Sequence, residues 1–323
     1  MARPKRTVLE YRNYELPTGF PVLLLTGDQW HISPVPGKHL HIHNCLEIGL
    51  CHSSGGTMVF DEQQIHFTAG DVTCIARNVP HTTWSDPEEA SRWSYLFLDV
   101  EALLGASMLQ PHSRLKDTRH FLSDCHLLLH EEDDPRIRQY VEDIIREMSD
   151  RAPGYHTLVR SLCTALVIGL LRVYSQAEES RVSDPSSFTI SPALDYIHEN
   201  YMRDFPQSEL SDLCHLSPTH FRRLFLQQLG TTPLDFLHQV RIATSCSMLL
   251  TSSDSIAEVA TAVGYSSLSC FNRHFLRFMG TSPSRWRHAD DENVRRSVLT
   301  FTGWVQPETS DEILQKNAEP AFS

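Results

Sequence analysis

The chain has 323 residues, of which 41% are hydrophobic and 21% charged, and a formal net charge of −12. This is globular composition, long enough for two domains with separate cores, and it excludes collagenous and disordered chains. The charge is uneven: residues 1–187 carry −8, residues 188–288 carry no net charge and residues 289–323 carry −4. A whole-chain basic footprint for nucleic acid is therefore absent, and any DNA contact must come from locally clustered arginines.

The opening, Met-Ala-Arg-Pro-Lys-Arg, lacks the hydrophobic region of a signal peptide. No apolar run approaches the roughly 20 residues that cross a bilayer, so the expectation is a cytoplasmic protein without a membrane segment. Eight cysteines (Cys45, Cys51, Cys74, Cys125, Cys163, Cys214, Cys246 and Cys270) show neither a CxxC nor a zinc-finger spacing. They read as reduced, mostly buried thiols.

Residues 1–14 form a basic, polar stretch, expected to be a flexible arm. From residue 15 to about 105, short apolar runs alternate with turn signals: Pro21 to Thr26, Leu46 to Cys51, Thr57 to Phe60, Val72 to Ala76 and Ser94 to Val100. Regular short strands of this kind predict an all-β sandwich or barrel. Helical periodicity follows in residues 106–178, in Arg136 to Met148 and Thr157 to Tyr174. The second of these is apolar around most of its girth and predicts burial against a neighbour or a second subunit. Residues 179–189 (ESRVSDPSSFT) have linker composition.

Within residues 190–288 one pattern occurs twice. Phe221, Arg223, Phe225, Gly230, Thr231 and Pro233 recur 50 residues later as Phe271, Arg273, Phe275, Gly280, Thr281 and Pro283. Each copy joins an amphipathic helix to a glycine stop and a new helix start. In the first copy Ser208 to Cys214 reads as a short helix and His215 to Ser217 as a turn. Pro218 to Leu229 follows as a second helix, capped by Ser217. In the second copy Ser255 to Val263, Gly264-Tyr265-Ser266 and Leu268 to Met279 repeat that layout. Pro233 to Leu250, opened by Thr232, predicts a connecting helix of about 27 Å. That length suits two reading helices near the roughly 34 Å spacing of successive major-groove faces.

These residues resemble the AraC-type family of transcription regulators. The match includes Leu216-Ser217-Pro218, Arg223-Leu224-Phe225, Gly230-x-x-Pro233, Arg241, Ile256-Ala257-Glu258-Val259-Ala260, Gly264-Tyr265 and Gly280-x-x-Pro283. The departure is Ser211, where the family prefers alanine. The resemblance implies a C-terminal all-α tandem helix-turn-helix domain on double-stranded promoter or operator DNA. It also implies a homodimer, RNA polymerase as a further partner, activation as the outcome and no enzymatic activity. The exposed face of each second helix supplies the candidate DNA contacts: Thr219, His220, Arg222 and Arg223, then Ser267, Ser269, Asn272 and Arg273. Arginine pairs bidentately with guanine or phosphate, and asparagine with adenine. Paired arginines in the first copy, against Leu268 and Cys270 in the second, predict that the first copy dominates affinity.

In the N-terminal half, His41 and His43 alternate on a strand and so share a face. With Glu47, and with His81 after Gly70-Asp71 and Pro80, they resemble the cupin pattern H-x-H-x3-E followed by G-D and P-H. The resemblance implies a cupin-like barrel with a small-molecule effector pocket for a polar metabolite such as a sugar. Three imidazoles and a carboxylate are also a competent set for a divalent metal, so a metal-dependent cupin enzyme with an appended helical module is the alternative. Trp84, Trp93 and Tyr95 are candidates for stacking on a ligand or for core packing. The acidic tail, residues 289–323, lies beyond both resemblances.

Overall fold

A computed structural model describes residues 10–12, 14, 16, 19–28, 30–36, 40–60, 63–108, 118–178 and 189–288. The first nine residues of the expected arm, nearly all of the linker and the acidic tail lie outside them. The chain divides into two compact units, Met1–Leu237 and His238–Ser323.

The N-terminal part is two facing sheets. One runs in the order β1 (Glu10–Arg12), β4 (His41–His43), β9 (His81–Ser85), β6 (Gly56–Phe60), β7 (Gln63–Phe67). The other runs β11 (His126–Leu129), β8 (Val72–Ile75), β5 (Leu46–Ser53), β10 (Ser91–Leu98), β2 (Val22–Leu25), with β3 (His31–Ile32) also on β10. Alternation along β10 turns Trp93, Tyr95 and Phe97 to one face. There Trp93 stacks on Tyr95 at 5.5 Å and meets Phe67 edge-on at 4.9 Å. Gly49 is required opposite them, because a Cβ there would sit 2.5 Å from Thr73 Oγ1 and 3.0 Å from Trp93. The expected strands are all present. The arm differs in its last part: Glu10–Arg12 is a strand paired in parallel with His41–His43, and Tyr14 is buried against Phe97 at 3.6 Å.

Beyond the sheets, α1 (Val100–Met108) and α2 (Thr118–Asp124) lead to α3 (Pro135–Asp150) and α4 (Tyr155–Glu178). Asp134 caps α3, accepting from the Arg136 amide, and Ile137, Val141 and Ile144 line its buried side. Tyr155–Gln176 is by length and composition apolar enough to cross a membrane, which corrects the expectation that no run approaches that length. Much of its apolar surface has protein neighbours. Val159, Cys163, Leu166, Val167, Leu170 and Leu171 are buried, and at Gly169 a Cβ would come within 2.7 Å of Ile137.

The helical region begins with α5 (Ser191–Asn200), which packs on α6 (Gln207–Leu213), followed by α7 (Pro218–Leu229). Ser217 caps α7 by accepting from the His220 amide, and Gly230 ends it at φ 66°, a backbone that glycine adopts without strain. The connecting helix α8 (Pro233–Thr251) is opened by Thr232, whose hydroxyl accepts from the Asp235 amide. The second copy is α9 (Ile256–Ala262), α10 (Leu268–Met279) and the short α11 (Pro283–Arg287), with Gly280 at φ 67°. Phe221 and Phe225 in one copy, and Phe271 and Phe275 in the other, are fully buried. Seven of the eight cysteines are buried, and Cys270 is half-buried.

Candidate effector site and nucleic-acid interface

The four residues singled out in the barrel converge. His41 and His43 lie on β4, His81 on β9 is the register partner of His41, and Glu47 reaches across from β5 in the facing sheet. All four are buried, His43 completely. A tight corner at Asn44-Cys45 turns the chain from one sheet to the other. Residues four apart therefore face each other, with His43 Nε2 3.4 Å from Glu47 Oε2. His81 Nε2 is 3.7 Å from the other carboxylate oxygen. The ring centroids of His41 and His81 are 4.0 Å apart, and those of His43 and His81 5.0 Å. Ligand atoms of His41, Glu47 and His81 all lie within 4.8 Å of one another.

Two backbone carbonyls fix the ring tautomers. His43 Nδ1 donates to the Cys45 carbonyl at 2.8 Å and His81 Nδ1 to the Val79 carbonyl at 2.9 Å. A carbonyl only accepts, so each Nδ1 carries a hydrogen and each ring turns its Nε2 toward Glu47, an acceptor wherever the ring is neutral. Those two nitrogens and Glu47 Oε2 are buried without a hydrogen-bond partner. Burial pushes His43 down to about 4 and holds His41 well below its ordinary value, so both rings are neutral near pH 7. For Glu47, burial alone would raise the carboxyl; His43 and His81 beside it outweigh burial and hold it below the ordinary carboxylate range. Acceptors facing acceptors in a buried space are costly unless something electron-poor lies between them. A divalent metal ion fits this donor set, and the carbonyl-anchored Nδ1 groups are the second contacts that orient metal-binding histidines. A ligand presenting several hydroxyl donors would satisfy the same acceptors.

The aromatic candidates divide. Trp93 and Tyr95 are buried and stacked on each other, with Trp93 Nε1 donating to Ser91 Oγ at 2.8 Å; they build the core. Trp84 is half-buried on β9. A surface cleft of about 220 Å³ lined by Cys51, His52, Gly70, Glu131, Arg138 and Glu142 involves none of the cluster residues.

On the helical side all eight candidate contacts are exposed: Thr219, His220, Arg222 and Arg223 on α7, Ser267 at the cap of α10, and Ser269, Asn272 and Arg273 along it. The buried phenylalanines fix which face turns outward. Arg222 Nη2 donates to Gln207 Oε1 on α6 at 3.0 Å, and Arg273 lies 3.6 Å from Cys270 Sγ.

Sequence reasoning missed a third group. Asn78, in the turn between β8 and β9, donates its side-chain amide to Asp195 Oδ1 of α5 at 2.8 Å, and Arg77 Nε is 3.1 Å from the same oxygen. Nearby, Tyr11 of β1 is hydrogen-bonded to His198 of α5 and meets Phe236 edge-on at 4.6 Å. The only sequence signal was an asparagine after a strand, a residue type that tolerates the positive φ (61°) found there.

An AraC-like ligand-binding domain model matches residues 30–167 and a helix-turn-helix domain model residues 210–289. The raffinose operon transcriptional regulatory protein RafR of Pediococcus pentosaceus is 26% identical over 230 residues, covering 68% of this chain and 76% of that protein. The lactose operon transcription activator of Staphylococcus xylosus is 23% identical over 236 residues, covering 72% and 80%. The crystal structure of unsaturated fatty acid-bound ToxT from Vibrio cholerae matches at 14% identity with a TM-score of 0.42, covering 84% of this chain and 95% of that one. The two domain models lie in tandem along this sequence, ligand-binding domain first, and the chain belongs to the AraC-type family of ligand-responsive transcription regulators.

Proposed function

We propose that this protein is a cytoplasmic, homodimeric activator that binds double-stranded promoter DNA through α7 and α10 and recruits RNA polymerase in response to a small polar effector. The effector occupies the His41, His43, Glu47 and His81 cluster. The observation that carries this reading is the buried set of unpartnered polar atoms, His43 Nε2, His81 Nε2 and Glu47 Oε2, in a chain whose two short helices after turns present only polar or charged candidate contacts to solvent. Relatives named for raffinose and lactose operons favour a sugar, whose hydroxyls donate to those atoms. The spacing of His41, Glu47 and His81, whose ligand atoms lie within 4.8 Å of one another, favours a second occupant, a divalent transition metal ion. In that case His41, His43, Glu47 and His81 hold the ion, which supplies positive charge to a buried carboxylate.

Both halves are testable with the full chain. A mobility shift on the DNA upstream of its own gene should show specific binding that competitor DNA does not erase. Thermal shift with sugars, sugar acids, aromatic acids, Zn²⁺, Mn²⁺ and Ni²⁺ should raise the melting temperature for one class, because a ligand that binds only the folded state stabilises it. Glu47→Gln should abolish that shift while leaving DNA binding in place. A ligand that stabilises wild type and Glu47→Gln equally would move the effector site elsewhere.

A further inference from the structure

The turn between β8 and β9 is held at both ends by the cluster. The Asn78 amide donates to the His43 carbonyl at 2.9 Å, and the Val79 carbonyl receives the His81 Nδ1 hydrogen at 2.9 Å. The same turn carries Arg77 and Asn78 to a single oxygen of Asp195 on α5, and Arg77 also approaches Glu101 of α1 at 3.6 Å. α5 packs on α6, the first helix of the first helix-turn-helix copy, and belongs to the same compact unit as the barrel. Asn78 and Asp195 are 117 residues apart in sequence, yet one side-chain hydrogen bond joins them.

We propose that the Arg77-Asn78 turn is the transmission point of this regulator: occupancy of the histidine cluster stiffens the turn and strengthens its clamp on Asp195, which sets the mobility of α5 under the first DNA-reading unit. This rests on the reading of the cluster as the effector site. The physical cause is conformational entropy. An occupant that fixes the His43 and His81 rings also fixes the two backbone groups that hold the turn, so less freedom is lost when Asn78 stays on Asp195. Coupling of this kind is reciprocal: the clamp must favour occupancy as much as occupancy favours the clamp.

The test is amide hydrogen exchange of Ser191–Asn200 in the full chain, compared among wild type, Glu47→Ala, Asp195→Ala and the double variant, with α9 amides as the internal control. Glu47→Ala is expected to accelerate exchange in α5 by about threefold or more, and to add nothing once Asp195 is gone. Unchanged α5 exchange in Glu47→Ala, or an equal acceleration with and without Asp195, overturns the proposal. If Glu47→Ala does not fold, His81→Gln, which removes the ring that holds Val79, takes its place with the same expected pattern. In a second arm Zn²⁺ is titrated by calorimetry into wild type and Asp195→Ala. Zinc that slows α5 exchange in wild type and binds several-fold more weakly to Asp195→Ala supports the clamp; zinc that binds with no response in α5 overturns it. Absence of zinc binding removes the metal reading of the cluster, and the variant arm alone then decides the clamp.

Discussion

The two helix-turn-helix copies share buried residues, caps and glycine stops on their second helices but differ in their turns, in how their first helices open and in their exposed side chains. Their second helices, α7 and α10, align at an offset of 50 residues, each with two buried phenylalanines and a left-handed glycine stop. Their first helices, α6 and α9, align at 49. The Leu216 amide bonds the Ser211 carbonyl and the Tyr265 amide the Ala260 carbonyl in the same way, so the second turn holds one residue more. Ser211 is fully buried and donates its hydroxyl back to the Ser208 carbonyl at 3.0 Å, which is how a serine serves where Ala260 stands in the other copy. α9 opens with a reciprocal capping box between Ser255 and Glu258, whereas α6 opens at Pro206 without a side-chain cap. The difference teaches that the core of each unit is set by the repeat, while its edges, including the DNA-facing side chains, are free to diverge.

That divergence is broken or sharpened most strongly by DNA binding. Arg222 and Arg223 are both exposed on α7, against Asn272 and Arg273 on α10. A bidentate arginine contact is worth about 1–3 kcal/mol. Arg223→Ala is therefore expected to weaken operator binding by roughly tenfold or more at fixed salt, and Arg273→Ala by less, with effector binding unchanged in both. Equal losses in a salt-matched titration would make the copies equivalent, and no loss for Arg223→Ala would remove it from the interface.

A smaller effect sits in the turns. His215 holds a left-handed backbone at φ 53°, while the residue 49 positions on is Gly264 at φ 91°. A side chain in that region costs about 1–2 kcal/mol, against roughly 0.5–1 kcal/mol of extra freedom that glycine loses on folding. His215→Gly is expected to stabilise the protein by about 0.5–1 kcal/mol, and Gly264→Ala to destabilise it by about 0.5–1 kcal/mol, in denaturant unfolding. A destabilised His215→Gly would mean that the imidazole makes contacts worth more than the strain.

How much of this could be read in advance follows from the range of each interaction. Caps, glycine stops and the phenylalanine spacing act within four or five residues, so Ser217, Gly230 and Gly280 announce their helices from sequence alone. The cluster was visible because strand alternation puts His41 and His43 on one face and a short corner brings Glu47 opposite. The 49-residue alignment of the first helices was hidden, since the pattern that exposes the repeat begins at Phe221. The parallel pairing of Glu10–Arg12 with His41–His43, and the bond between Asn78 and Asp195, join segments distant in sequence and leave no periodicity to find. Trp93 and Tyr95 are a different case: aromatic composition suits both a ligand platform and a core, sequence leaves both open, and their burial and mutual stacking favour the core.

pH gives the most discriminating test, because the helix that precedes the first copy carries two titrating groups of opposite sign. Burial, opposed by Arg77, raises Asp195 to about 6, while burial and the nearby Arg77 charge lower His198 to about 3. Between about pH 4 and 6 the folded chain holds a proton on Asp195 that the unfolded chain, with a carboxyl near 3.9, has released, so this contribution to stability falls as pH rises. His198 behaves oppositely: the unfolded imidazole, near 6.5, binds a proton that the folded one refuses, so its contribution rises from about pH 3 to 6.5. In wild type the two slopes offset each other between pH 4 and 6 and the net change from this pair is small. Asp195→Asn should leave stability rising with pH across that window relative to wild type, and His198→Gln should leave it falling. Denaturant midpoints at pH 4.5, 5.5 and 6.5 measure both. Parallel profiles for the three proteins would show that neither group titrates differently on folding.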